Sequence, residues 1–163
     1  YREVRLREDM DYINAYLYIQ KLRFGNRFQC EINLPESCLE CVVPKLLFQP
    51  LIENSIKYGY QDQMKLRVDI TSELKSGILL ISVCDNGPGV SEEKLKELSE
   101  SLNIVDYHEK SLGLHNISRR LRLLYGEKSG VTVRNRVEGG FEVILAIDQN
   151  FIGNSGTGGT TDV

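Results

Sequence analysis

Three short clusters of side chains have the types and spacing to do chemistry. The first is Glu53-Asn54-Ser55-Ile56-Lys57-Tyr58-Gly59. On a helix, Glu53, Asn54 and Lys57 fall close together on one side, gathering a carboxylate, an amide oxygen and an ammonium. That set suits a magnesium–phosphate ligand, because Mg²⁺ takes hard oxygen ligands and keeps several waters. Taken alone, such a set is in most cases a solvated helix face. The second cluster, Asp85-Asn86-Gly87-Pro88-Gly89, directly follows a strand-like run. Its glycines let the backbone approach a ligand and turn where other residues cannot. An ionised Asp at the strand end can accept a hydrogen bond from an adenine amino group. An Asp-Asn-Gly sequence is also an ordinary turn. The third, Ser111-Leu112-Gly113-Leu114-His115-Asn116, opens a helix. A glycine there exposes backbone N–H groups to phosphates, and the helix dipole favours their charge; the alternative is an ordinary glycine-containing helix start.

The elements around these clusters must position them. Residues 4–24 read as a long helix with Leu6, Met10, Ile13, Leu17 and Phe24 on one stripe and Gln20 in its polar slot. The stripe fits packing on a partner helix in a dimer or on the chain's own domain; the reading preferred is a helix that links to something upstream. Gly25 and Asn26 end it, residues 28–34 alternate as a strand, and Pro35 stops that strand. Pro44 is expected to open the helix carrying the first cluster, with Pro50 as an internal point where it starts or kinks. Residues 66–74 and 78–84 form strands around the hairpin turn Lys75-Ser76-Gly77. Residues 91–102 form a helix capped by Ser91 with Glu92 and Glu93 in its first turn. A polar, irregular stretch of residues 103–110 leads to a helix that starts at Leu112 or Gly113 and runs to Tyr125, with Gly126 past its end. A last hairpin, residues 131–137 and 141–147, turns at Glu138-Gly139-Gly140, and the Gly/Ser/Thr-rich end is a flexible tail. Hairpins rather than crossovers join most strands. The order predicts an α+β fold, a two-layer α/β sandwich with a mixed, mostly antiparallel sheet, helices on one face and a long N-terminal helix in front. The expected organisation is a linker or dimerisation helix over residues 1–25, a main domain carrying the three clusters over 26–150 and a tail over 151–163.

Composition narrows the classes. At 163 residues the chain suits one domain with a sizeable core. A hydrophobic fraction of 41% with 26% charged residues marks a folded globular protein. A net charge of -3 has the wrong sign for binding nucleic acid by a basic face. Cys38 and Cys41 form a C-x-x-C pair, but a structural zinc site needs four ligands. There is no second pair, and His108 and His115 lie far off. The four cysteines therefore read as reduced thiols, with Cys30 and Cys84 as small core residues. No stretch is long and apolar enough to span a bilayer, and a start at Tyr1 is expected of a piece of a longer protein.

In this order the clusters resemble the Bergerat-fold ATPases, the superfamily of histidine kinases, gyrase, Hsp90 and MutL. Glu53-Asn54 matches the N box, Asp85-Asn86-Gly87-Pro88-Gly89 the D-x-G-x-G box and Gly113-Leu114 the second glycine box. Gly139-Gly140 matches the block that closes the adenine pocket. Lys21-Leu22-Arg23-Phe24-Gly25, the run from Pro44 to Gly59, Gly113-Leu114-His115-Asn116-Ile117, Arg120-Leu121 and Leu124-Tyr125-Gly126 look like the LytS/YesM-type sensor histidine kinases. The resemblance implies that Asn54 coordinates Mg²⁺, that Lys57 sits near the phosphates, and that Asp85 binds adenine against a wall shaped by Gly87 and Gly89. Gly113 and Leu114 would lie by the phosphates and Asn116 would hold that turn, with Tyr58, Ser111 and Leu112 completing the nucleotide-binding set. Residues 90–110 would be an ATP lid. Glu53 matches a residue that activates water in gyrase-like relatives, whereas kinases transfer to a histidine. Ser111 replaces a usual glycine, Tyr58 stands where His is common, and Phe141 where Thr is common.

The implied function is transfer of the ATP γ-phosphoryl to a histidine on an upstream phosphoacceptor helix, then to a response regulator. The setting is a cytoplasmic domain of a membrane-anchored, homodimeric sensor. Neither His108 nor His115 has an acceptor's context. An anti-sigma-type serine kinase, an ATP-switched binding module and a domain that no longer binds ATP share the fold and stay open here.

Overall fold

Apolar residues at alternate positions set the parity of the sheet, and parity decides which side chains face the site. The computed structural model describes residues 2–59, 65–102 and 113–151. His108, Ser111, Leu112, the irregular stretch 103–110 and the tail 152–163 lie outside the described residues. Strand β1 (Glu3–Arg5) leads into helix α1 (Leu6–Phe24), followed by β2 (Phe28–Asn33), the short α2 (Glu36–Leu39), β3 (Val42–Pro44) and α3 (Phe48–Gly59). Then come β4 (Leu66–Lys75), β5 (Ile78–Asp85), α4 (Glu92–Ser101), α5 (Gly113–Tyr125), β6 (Gly130–Asn135) and β7 (Phe141–Asp148).

The main sheet runs β2-β4-β5-β7-β6. Only the β2–β4 pairing is parallel; the other three are antiparallel, in a register that sets Val83 opposite Val143 and Ile81 opposite Leu145. Leu66, Val68, Ile70, Leu79, Ile81, Val83, Val143, Leu145 and Ile147 therefore share one buried face. Burial of each such side chain contributes about 1.5–3 kcal/mol before conformational entropy is subtracted. Helix α3 packs on β4 and β5, and α5 on β6 and β7. The opposite face is polar. Arg67 pairs there with Glu31 at 2.8 Å, and Glu142 accepts hydrogen bonds from Ser82 Oγ at 2.6 Å, Cys84 Sγ at 3.0 Å and Arg134. This is the α+β sandwich expected, with helices on one face.

Two expectations change. Pro44 does not open a helix: it ends β3, opposite Glu3 of β1 in a small antiparallel pair. Helix α3 starts at Phe48 instead, which places Pro50 in its first turn, where a missing N–H breaks no intrahelical bond. The cysteines also trade places. Cys38 and Cys41 are buried, whereas Cys30 and Cys84 are only half-buried; parity puts Cys84 with Ser82 on the polar face of β5. Of the two packings left open for the apolar stripe of α1, the structure has the one on the chain itself. Leu6 and Ile13 are buried, and Met10, Leu17 and Phe24 lie against the same core. Tyr12, Tyr18, Ile19 and Leu22 of α1 are the exposed ones. Among the described residues, no helix is long and apolar enough to cross a membrane.

Helix α4 begins as its sequence predicts. Ser91 Oγ accepts the Lys94 N–H at 3.1 Å, and Glu92 and Glu93 sit at the positive end of the helix. Ser91→Ala removes that acceptor and is expected to cost about 1 kcal/mol, read as a lower urea midpoint with an unchanged slope.

Candidate functional site

Asp85 is the last residue of β5 and shares the helix-facing parity of Val83, so its carboxylate enters the interface between sheet and helices, 4% exposed. One oxygen, Oδ1, accepts the N–H groups of Gly87 at 2.8 Å and Phe141 at 3.3 Å. No described residue bonds the other, Oδ2. Burial raises the carboxyl above its ordinary value, opposed by those two N–H groups and by the Arg136 charge. The turn after Asp85 is fixed by Asn86, which reaches back to β4. Its Oδ1 accepts Arg67 N–H at 2.7 Å and its Nδ2 donates to Lys65 O at 3.0 Å.

Close backbone approach explains the glycines. A Cβ on Gly87 would lie 2.6 Å from the Gly59 Cα, where α3 ends against the turn. A Cβ on Gly89 would lie 2.7 Å from Asn135 Oδ1. Asn135 belongs to β6 and grips the next residue through both of its backbone groups: Val90 N–H donates to its Oδ1 at 2.9 Å, and its Nδ2 donates to Val90 O at 2.6 Å. The root of α4 is thereby anchored to the sheet.

Around Asp85 opens a cleft of about 140 Å³, bounded by Asn54, Tyr58, Gly89, Leu114 and Phe141. Val90, Lys94 and Leu98 close it from the α4 side. It is smaller than the roughly 300–1,000 Å³ of complete drug-sized sites, a space for one flat ring system. Apolar walls would hold such a ring, and the free Asp85 oxygen would accept from its amino group. A larger hollow of about 290 Å³ lies between α1 and β2, around Leu17, Lys21, Phe28 and Lys65. It contains no residue of the three clusters, so size alone does not locate the site.

The structure divides the expected residues. Asn54 and Tyr58, one turn apart on α3, both line the cleft with Asp85, Gly89 and Leu114. Glu53 and Lys57, also one turn apart, sit on the neighbouring face of α3 and do not. Glu53 accepts from Gln49 Nε2 at 3.4 Å, and Lys57 Nζ lies 5.1 Å from the Tyr58 ring centre. The 100° step between successive helical residues separates what their spacing suggested would converge. Gly113 begins α5 with open space around it, and Asn116 is exposed. His115 is buried, its Nδ1 2.8 Å from Ser101 O, which joins α5 to the end of α4. Sequence reasoning did not single out Lys94 and Leu98 as cleft residues, although their spacing puts both on one face of α4. Asn86 and Asn135 as clamps carry no local signal.

Comparison with known proteins places the geometry in a family. Residues 43–150 match the histidine kinase-, DNA gyrase B-, and HSP90-like ATPase family. The sensor protein kinase HptS of Staphylococcus aureus (strain USA300) is 36% identical over 123 residues, which is 76% of this chain and 24% of that protein. The chain thus spans about a quarter of the length of the curated relatives it matches. In fold, it resembles the nucleotide-free catalytic domain of histidine kinase ThkA, with a TM-score of 0.69 at 18% identity over 91% of this chain and 95% of that one. It also resembles ThkA in complex with the response regulator protein TrrA, with a TM-score of 0.62 at 18% identity, over 93% of this chain and 42% of that one.

Proposed function

Since this chain belongs to the histidine kinase-, DNA gyrase B-, and HSP90-like ATPase family, we propose that it is the ATP-binding catalytic domain of a two-component sensor histidine kinase of the LytS/YesM type. The observation that carries this reading is the buried Asp85 carboxylate, with one oxygen tied to backbone and the other without a partner among the described residues, at a cleft that Asn54 also lines. Adenine stacks between Leu114, Phe141 and the α4 wall and donates its amino group to Asp85. The phosphates then run toward Asn54 and the N-terminus of α5 at Gly113, whose backbone N–H groups suit anions. Lys94 adds a cation from the lid side.

Asn54 also fits a magnesium ligand. Its side chain has no hydrogen bond among the described residues, and it offers a hard carbonyl oxygen at the cleft. One protein ligand beside phosphate oxygens and waters is the ordinary arrangement for Mg²⁺. The ion, when bound, neutralises charge on the phosphates. The chain's residues supply positioning and electrostatics, which is most of what phosphoryl transfer requires. An imidazole nitrogen of the upstream histidine forms the P–N bond, the bond from the γ-phosphorus to the bridging oxygen breaks, ADP leaves and the imidazole proton goes to solvent. A response-regulator aspartate then takes the phosphoryl group. Glu53 lies outside the cleft, which favours a histidine acceptor over a water activated by Glu53. The first helix, α1, fits a linker to the phosphoacceptor helix in a homodimeric, membrane-anchored sensor.

The test mixes this chain with the purified upstream histidine segment of its own protein and γ-labelled ATP. Acid-labile label on that segment is expected from the parent, and Asn54→Ala is expected to slow its appearance roughly 100-fold or more. ADP release without phosphohistidine would instead identify an ATP-switched binding module.

A further inference from the structure

Helix α1 buries one carboxylate, and its partners lie at the start of the helix that carries the site. Asp9 is 1% exposed. Its Oδ1 accepts the Leu46 N–H at 2.8 Å and its Oδ2 the Leu47 N–H at 3.3 Å. Leu46 has a φ of 62°, a left-handed conformation that a leucine holds only when its surroundings over-determine it. Leu47 directly precedes α3, so the Asp9 charge also sits at the positive end of that helix. The side chains of Leu47 and Phe48 are buried, and the turn therefore fixes how deep α3 sits. Asn54 follows Phe48 on the same rigid helix, roughly 9 Å along its axis.

Other ties run the same way. Strands β1 and β3 pair, Leu6 N–H donates to Cys41 O at 2.8 Å and Lys45 N–H to Arg2 O at 2.9 Å. Two turns beyond Asp9, the Tyr16 phenol is pushed up to about 12 by burial and by the charge of Glu53 on α3. Helix α1 thus meets α3 at its start, and Tyr16 further along feels the charge of Glu53.

We propose that Asp9 is a positioning residue for the ATP site: through the Leu46–Leu47 turn it sets α3, and so makes the placement of Asn54 and Tyr58 depend on α1. The proposal rests on the nucleotide reading of the cleft and adds to it the element by which the site is held and through which it is moved. A shift of α1 against the sheet is delivered to α3 by the carboxylate, since no other described side chain bonds the Leu46 and Leu47 N–H groups.

The experiment compares the whole chain with Asp9→Ala, Asp9→Asn and, as a distant control, Ser129→Ala. Ser129 is buried between the end of α5 and β7, donating to Tyr125 O at 3.1 Å and accepting Asp148 N–H at 2.9 Å. Calorimetry with ATP and Mg²⁺ is paired with amide hydrogen exchange on the nucleotide-free proteins. Asp9→Ala is expected to raise the Kd for ATP about tenfold, the scale of one lost charge-assisted hydrogen bond, and to speed exchange along residues 46–54. Asp9→Asn, which keeps one acceptor, should fall between, and it carries the test if the alanine variant does not fold. Ser129→Ala should lower the melting temperature and leave the Kd at the parent value. A folded Asp9 variant with parental Kd and parental exchange in α3 overturns the proposal. A parent that binds no ATP overturns the reading of the cleft, while the exchange arm still decides whether Asp9 holds α3.

Discussion

Asp85→Asn is expected to weaken ATP binding severely and to leave the nucleotide-free domain at least as stable at neutral pH. Both halves follow from the two carboxylate oxygens. Oδ1 already accepts from Gly87 and Phe141, so an asparagine that keeps its oxygen there turns its NH₂ to the cleft. A donor then meets the donor amino group of adenine. The flipped amide fares no better, because NH₂ would then face the two backbone N–H groups. A site built to hydrogen-bond its ligand rejects a mispaired partner by several powers of ten in favourable cases, and a loss of roughly 100-fold or more in affinity is expected.

The stability half rests on the raised carboxyl of Asp85. In the unfolded chain an aspartate titrates at about 3.9. The folded state holds its proton to a higher pH, so between the two values the folded state binds more protons and stability falls as pH rises. Above that window the penalty of burying the charge is complete. The neutral asparagine keeps the Oδ1 bonds and carries no such penalty. Melts of the two proteins should therefore separate in favour of the Asp85→Asn variant at pH 7 and converge on acidification below the ordinary aspartate range. Calorimetry supplies the affinity half, and an unchanged Kd for ATP in a folded variant would remove Asp85 from the site.

Much of this was legible because the controlling signals are local. Parity in residues 78–85 aims Asp85 at the helices, and Ser91 announces α4 with a hydrogen bond only three residues long. The illegible parts are bonds across the chain. Pro44 satisfies every local rule for opening a helix, yet pairing with Glu3 makes it the end of a strand. Asn135 reads as a hairpin residue and acts as a clamp on Val90, 45 positions away. Asp9 reads as one more acid in the first turn of a helix, and its partners at Leu46 and Leu47 are 37 and 38 positions on. Glu53 and Lys57 show the opposite limit: helical spacing brought them near Asn54 in projection, but it does not say which face of α3 meets the cleft.

Gly140→Ala is expected to be the most damaging alanine substitution among the described glycines. A Cβ at Gly140 would lie 1.9 Å from the carbonyl oxygen of Asp85. Both partners are backbone, so no rotamer relieves the contact, and the φ of 104° adds strain for any L side chain. The strands can accept the methyl only by moving β7 from β5 at the point where Phe141 N–H meets the Asp85 carboxylate. Gly139 separates the two causes. Its φ of 97° is as unfavourable, but a Cβ there meets nothing within 4 Å. Gly139→Ala should therefore cost about 1–3 kcal/mol from backbone strain alone, and Gly140→Ala on the order of 4 kcal/mol or more, among the largest effects of single substitutions. Urea unfolding of the two variants reads the difference directly. Equal losses would mean that strain in the turn, and not the approach of the final hairpin to Asp85, is what the second glycine serves. Unequal losses, with no ATP binding by whatever Gly140→Ala protein remains folded, would mean that the wall of the cleft and the integrity of the sheet depend on the same contact.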